Sequence, residues 1–142
     1  MSRRGDIGKW DIFRFFVKPY RINLKTIPIG LNDTFGTEVT VIDVRAEGYN
    51  QFMIFSFYDN VGGTFASGET LTVRRVYYYA DGSTITFDRT YTSTGYRTYT
   101  ESFTEVSTQG RAKPLIAIGV MAKTNMSTTN VILYSGVSGY MI

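Results

Sequence analysis

Eight stretches of β-forming residues, parted by glycine, asparagine and aspartate about every ten positions, dominate this sequence. They lie at residues 21–27, 38–46, 51–58, 70–79, 83–92, 97–106, 115–123 and 129–135. Nineteen threonines, eleven tyrosines and ten phenylalanines suit a pleated, half-buried surface, and no helical repeat separates the segments. With 142 residues, 43% of them apolar and 19% charged, the chain is long and apolar enough for one domain around one core. The pattern predicts an all-β fold: an antiparallel β-sandwich of about eight strands, jelly-roll-like, over residues 21–142. An N-terminal extended or partly helical arm precedes it over residues 1–20.

Turn chemistry sets expected registers. Asp81–Gly82 reads as a two-residue type I′ turn, because both residues tolerate positive φ. It would place Tyr78 opposite Ile85 and Val76 opposite Phe87 on an apolar inner face. Tyr77 would then oppose Thr86, Tyr79 would oppose Thr84 and Arg75 would oppose Asp88 on an outer face. A three-residue loop Thr94–Gly95–Tyr96 would set Tyr91 against Tyr99, Arg89 against Glu101 and Phe87 against Phe103, making a meander over residues 70–106. Arg74, Arg89 and Glu101 then share one row at the sheet's rim, as a ligand or subunit contact or as an ordinary cross-strand ion pair. Tyr77, Tyr79, Tyr91, Tyr96 and Tyr99 would form an outer array that stacks on sugar rings, meets another subunit, or simply reflects good strand formers. Asp59–Asn60 reads as a turn, and Gly62, Gly63, Gly68, Gly136 and Gly139 read as loop and bulge positions.

The residue types that are missing limit the chemistry. The chain has no histidine and no cysteine, which removes imidazole bases, thiolate nucleophiles, zinc thiolate sites and disulfides. Glu101 and Glu105 would stand about 13 Å apart on one strand, beyond the roughly 5–9.5 Å of a glycosidase pair, and Asp43 with Glu47 fails likewise. A pair from distant strands, such as Asp59 and Asp81, stays open. Phosphate-binding glycine loops, acidic calcium loops and a serine elbow do not occur. The expectation is a protein that is not an enzyme, with no catalytic residues, no metal and no cofactor.

Charge divides the chain. Residues 1–25 carry seven basic and two acidic side chains, whereas the remainder carries eight basic and ten acidic ones, so the positive net charge belongs to the first sixth. In that segment Trp10, Ile12, Phe13, Phe15, Phe16, Val17 and Tyr20 are too apolar to remain in water. Extended, twenty residues reach about 65 Å, several times the roughly 14 Å radius of gyration of such a domain. The arm can therefore wrap its own domain or reach a neighbour. Pro19 would stop a helix near Val17. Nucleic acid is not expected as the partner because the body lacks a matching basic face. A membrane surface is not expected because apolar residues nearly encircle the arm. The longest apolar run, residues 114–122, is too short to span a bilayer, and the chain reads as soluble and unprocessed. An acidic protein lattice accounts for both the charge and the apolar side chains.

A basic aromatic arm from Arg3 to Tyr20, joined by Ile27–Pro28–Ile29 to a cysteine-free domain rich in threonine, tyrosine and glycine, resembles the auxiliary proteins that decorate tailed-phage capsids, notably those of heat-loving phages. The stretch over residues 39–82, with Gly48–Tyr49–Asn50, the run Phe52–Met53–Ile54–Phe55 and Asp81–Gly82, is similar to strand patterns of phage virion β-sandwiches. The resemblance implies a homotrimeric cement protein on the capsid surface of a virion, binding the capsid lattice and itself. Arg3, Arg4, Trp10, Phe13, Arg14, Phe15, Phe16, Lys18 and Tyr20 would make the contact, the aromatic residues as anchors and the cations as steering charges. The other reading is a carbohydrate- or receptor-binding β-sandwich module of a virion or surface assembly, with the tyrosine face as its working surface.

Overall fold

The computed structural model describes residues 18–99 and 114–142, the side chains of Ile54 and Phe55 excepted. These residues form ten strands and no helix: β1 (Lys18–Tyr20), β2 (Lys25–Thr26), β3 (Ile29–Gly30), β4 (Val39–Asp43), β5 (Phe52–Thr64), β6 (Leu71–Tyr79), β7 (Thr84–Tyr91), β8 (Gly95–Tyr99), β9 (Leu115–Thr124) and β10 (Asn130–Met141). They build two five-stranded sheets. In the first, β10 lies between β5 and an edge made of β1 and β2, and β8 flanks β5. In the second, β9 lies between β6 and an edge made of β3 and β4, and β7 flanks β6. Every pairing is antiparallel except that of β3 with β9.

The sheets pack face to face. Phe52, Phe57, Val61, Leu133 and Val137 of the first join Val73, Tyr77, Leu115, Ile118 and Val120 of the second in one buried cluster. The rings of Phe57 and Tyr77 meet edge to face across it at 5.7 Å. Each such side chain contributes about 1.5–3 kcal/mol by leaving water.

A bulge in β5 fills the far end of this core. The β5–β10 register steps from Ser138 opposite Ser56 to Gly139 opposite Ile54, leaving Phe55 as the extra residue. Alternation therefore changes phase: Phe57, Asp59 and Val61 face inward on one side of the bulge, and Phe52 is fully buried on the other. Without it Phe52 would point to solvent. Gly139 sits opposite the bulge, where an added Cβ would lie 2.1 Å from the Met53 carbonyl oxygen.

Several sequence expectations are corrected. The β6–β7 loop holds three residues, not two: the Tyr79 amide donates to the Ser83 carbonyl and the Gly82 amide to the Tyr79 carbonyl, each at 3.0 Å. Gly82 adopts φ 87°, and the Asp81 carboxylate accepts from the Ser83 amide at 2.9 Å and its hydroxyl at 2.6 Å. This capped turn moves every β7 partner by one, so Asp88 opposes Arg74 and Ile85 opposes Tyr77. Tyr77 and Tyr79 consequently face the core, and Tyr78 and Val76 lie on the opposite side of the sheet.

The expected meander does not form either, because β8 pairs with β5 instead of β7. The chain changes sheets after Tyr91, which lets Tyr91 and Tyr99 stack between the sheets, ring centroids 6.4 Å apart, rather than sit side by side on one. Asp59 and Asn60 are not a turn but lie within β5. Gly62 and Gly63 belong to β5 and Gly136 to β10, whereas Gly139, also in β10, does lie at the bulge.

Candidate functional site

Asp59 is the polar centre of the interior. It accepts from Arg75 Nη2 at 2.8 Å, from the Ser135 hydroxyl at 2.7 Å and from the Tyr91 hydroxyl. Those four residues come from β5, β6, β10 and β7, so one carboxylate ties together two strands of each sheet. Both charged side chains are 0% exposed. Arg75 stacks its guanidinium over the Phe57 ring at 4.4 Å, and its Nε and Nη1 have no hydrogen-bond partner. Burial and then the nearby Asp59 charge push the Tyr91 hydroxyl pKa far upward. The arrangement locks strands; no face of it meets water for chemistry.

A second buried carboxylate, Glu69, holds a loop. It accepts from the Ala66 amide at 2.9 Å, the Thr124 hydroxyl at 2.7 Å and the Thr129 hydroxyl at 2.6 Å. Burial acts to raise its pKa, but these donors outweigh it and hold the group below the usual carboxylate range.

The outward faces of the two sheets differ in charge. On the second sheet, Arg74 Nε and Nη2 grip Asp88 at 2.8 and 2.9 Å, Lys123 lies 3.8 Å from Asp33, and both cations cover the Phe35 ring. Tyr78 donates to Glu38 at 2.5 Å; that hydrogen bond, with burial, pushes its pKa up to about 12.

Strand alternation turns Thr26 outward on the first sheet, with Ser56, Tyr58 and Asn60 of β5 and Tyr96 and Thr98 of β8. From β10 it turns out Ile132, Tyr134, Ser138 and Tyr140. None of these carries a charge. Tyr134, Asn60 and Tyr96 stand opposite one another across β10, β5 and β8, and Tyr58 inclines toward Tyr96 with ring centroids 6.1 Å apart. Tyr96 is 55%, Ile132 48% and Tyr134 36% exposed. The Tyr58 and Ser138 hydroxyls bond at 3.2 Å, fixing that ring. At one end of this face a groove of about 530 Å³ opens between residues 19–22 and 138–140.

Of the residues expected to touch a lattice, Arg3, Arg4, Trp10, Phe13, Arg14, Phe15 and Phe16 lie outside the described residues. Lys18 and Tyr20 belong to the sheet: β1 pairs along β10, Tyr20 donates to the Val41 carbonyl at 3.1 Å, and its ring meets Phe52 edge-on at 6.1 Å. Tyr20 is thus an anchor on its own domain. The outer tyrosine array is corrected too. Tyr77, Tyr79 and Tyr91 are at most 5% exposed, and Tyr99 is half-buried between the sheets, so only Tyr96 of the five faces outward in the open. Arg74 and Arg89 do not share a row; Arg74 is outward on Asp88, while Arg89 covers the Tyr99 ring at 4.1 Å. Glu101 lies outside the described residues. The residues of the uncharged face that sequence reasoning missed, Tyr58 and Tyr134, sit in segments 51–58 and 129–135, which the sequence marks as strands but for which it sets no register. Among the described residues no group of three or more acidic side chains could hold a metal.

Compared with known protein families, with curated proteins and with solved structures, the chain shows no match.

Proposed function

We propose that this chain is a structural virion protein that binds and stabilises a capsid lattice as an oligomeric decoration protein, attached through its N-terminal basic and aromatic segment. The root of that segment carries the reading. Lys18, Pro19 and Tyr20 pair with Met141, Tyr140 and Gly139, so a strongly apolar, cationic stretch starts from a firmly held sheet edge. A tether of this kind raises the effective concentration of the second contact once the first is made. The body suits a passive block, since both buried carboxylates among the described residues, Asp59 and Glu69, are each engaged by three donors.

The body is read as a jelly roll of eight strand positions. Counting β1 with β2 as one broken edge strand and setting aside the two-residue β3, which runs parallel to β9, the sheet orders become 1-8-3-6 and 2-7-4-5, two interleaved Greek keys. That architecture recurs in viral capsid domains, and the likeness is one of architecture alone.

The test is retention on particles. Virions from the producing culture, purified and analysed by mass spectrometry, should contain the chain, and its Trp10→Ala/Phe13→Ala variant should be lost from them while staying folded. Particles without the chain, or full retention of the variant, would contradict the reading.

A further inference from the structure

The uncharged outward face of the first sheet has chemistry that the attachment reading does not use. From the row Tyr134–Asn60–Tyr96 we infer that this face binds a neutral, extended oligosaccharide. The inference uses none of the arm's residues.

Three observations support it. The first is the spacing of the row. Its members stand on adjacent strands, so the two tyrosine rings are separated by two strand spacings, about 10 Å, with the Asn60 amide between them. Rings set apart in this way can each cover the C–H face of alternate sugars along a chain, and the amide can donate to and accept from the hydroxyls of the sugar between. The second is the absence of charge, which matches a ligand that has none. An anionic glycan would need arginine or lysine, and neither stands among these outward strand positions; Arg21 lies off the row, in the groove at the end of the face, and Arg74 and Lys123 of the second sheet are engaged with acidic partners.

The third is preorganisation. Tyr58 is held by its hydrogen bond to Ser138 and inclines against Tyr96, so the platform's rings need little ordering when a ligand arrives. A second copy of the chain fits less well. Ile132 is the one exposed aliphatic side chain among these outward positions, whereas contacts between identical subunits have a more apolar centre.

An array of neutral and anionic oligosaccharides, two to eight sugars long and probed with the full chain, tests this. Binding is expected on neutral glycans long enough to span both rings and not on disaccharides. Tyr96→Ala and Tyr134→Ala should each weaken it by about tenfold, the scale of one lost ring contact, while Tyr96→Phe and Tyr134→Phe keep it. Unchanged melting temperatures for the alanine variants verify that the fold is intact. Binding to no glycan, preference for anionic glycans, or alanine variants that bind like the whole chain would each overturn the inference. So would alanine variants that alter the oligomeric mass without glycan binding, since the face would then be a contact between copies.

Discussion

Arg74 and Arg75 are neighbours on β6, each paired to one aspartate, and they face opposite sides of the sheet. Arg75 and Asp59 are 0% exposed between the sheets, and Arg74 and Asp88 are 35% and 42% exposed on the outside. Two chemically equal pairs therefore have unequal consequences. The outer pair is screened by water and adds little, whereas the inner pair, once formed, cannot lose one member without stranding the other charge. The same division extends across the molecule. The second sheet holds Arg74 and Lys123 against acidic partners on its outer face, the outward strand positions named on the first sheet carry no charge, and the buried Arg75–Asp59 pair helps to hold four strands in register.

Breaking the inner pair should have the largest effect. Asp59→Ala leaves the Arg75 guanidinium buried without its counter-charge and should cost about 3–5 kcal/mol in urea unfolding. Adding Arg75→Met to that variant should recover much of the loss; no recovery would mean that the pair is not the source of the cost. Next comes Glu69, where alanine would remove the acceptor for the Thr124 and Thr129 hydroxyl protons and for the Ala66 amide, at about 1–3 kcal/mol.

Acid should expose the same group. Because its folded pKa is lowered, Glu69 stabilises the fold at pH values above the ordinary carboxylate range, and that stability is lost as pH falls through the folded value. Asp88 follows the same sign through its bond to Arg74, with a smaller effect because it is exposed. Glu69→Gln should therefore flatten part of the acid limb of a stability-versus-pH curve, and an unchanged limb would show that Glu69 is not held ionised.

In alkali the sign reverses. Tyr20, Tyr78, Tyr79 and Tyr91 all have raised pKa values, from burial at Tyr20, Tyr79 and Tyr91 and from the bond to Glu38 at Tyr78. Their contribution is complete below pH 10 and fades as pH rises through the folded values. An absorbance titration should show these four ionising late, and Glu38→Gln should bring Tyr78 down from about 12. The smallest effect belongs to the outer pair. Arg74→Ala should change stability by no more than about 1 kcal/mol, and a loss as large as that of Asp59→Ala would erase the distinction between inner and outer pairs.

Much of the fold could be read from the residues alone. Segments 38–46, 70–79 and 83–92 contain β4, β6 and β7, and segment 115–123 matches β9 to within one residue, because local β propensity and the glycine punctuation agree with the tertiary structure there. Register was harder. The Asp81 side chain completes a three-residue loop that a dipeptide turn rule does not anticipate, and one residue of slip exchanges the inner and outer faces. The alternation Leu71, Val73, Tyr77, Tyr79 held the signal, with Arg75 as the exception that obscured it. Asp59–Asn60 has turn chemistry locally, and only Arg75, Tyr91 and Ser135 from distant strands make a strand interior acceptable there. The change of sheet after Tyr91 left no mark in the sequence. The outward face of the first sheet was hidden for the same reason, since its row joins three strands that are remote in the chain.

The account's central claim is that the apolar leader finds its shelter on a separate polypeptide, and Trp10, the sole tryptophan, reports on this directly. Its fluorescence should be red-shifted and open to acrylamide quenching in dilute, monomeric protein, then move to the blue and become protected as copies associate or particles are added. A blue-shifted, quencher-protected Trp10 at every concentration, unaffected by particles, would place the leader on its own domain and contradict the account.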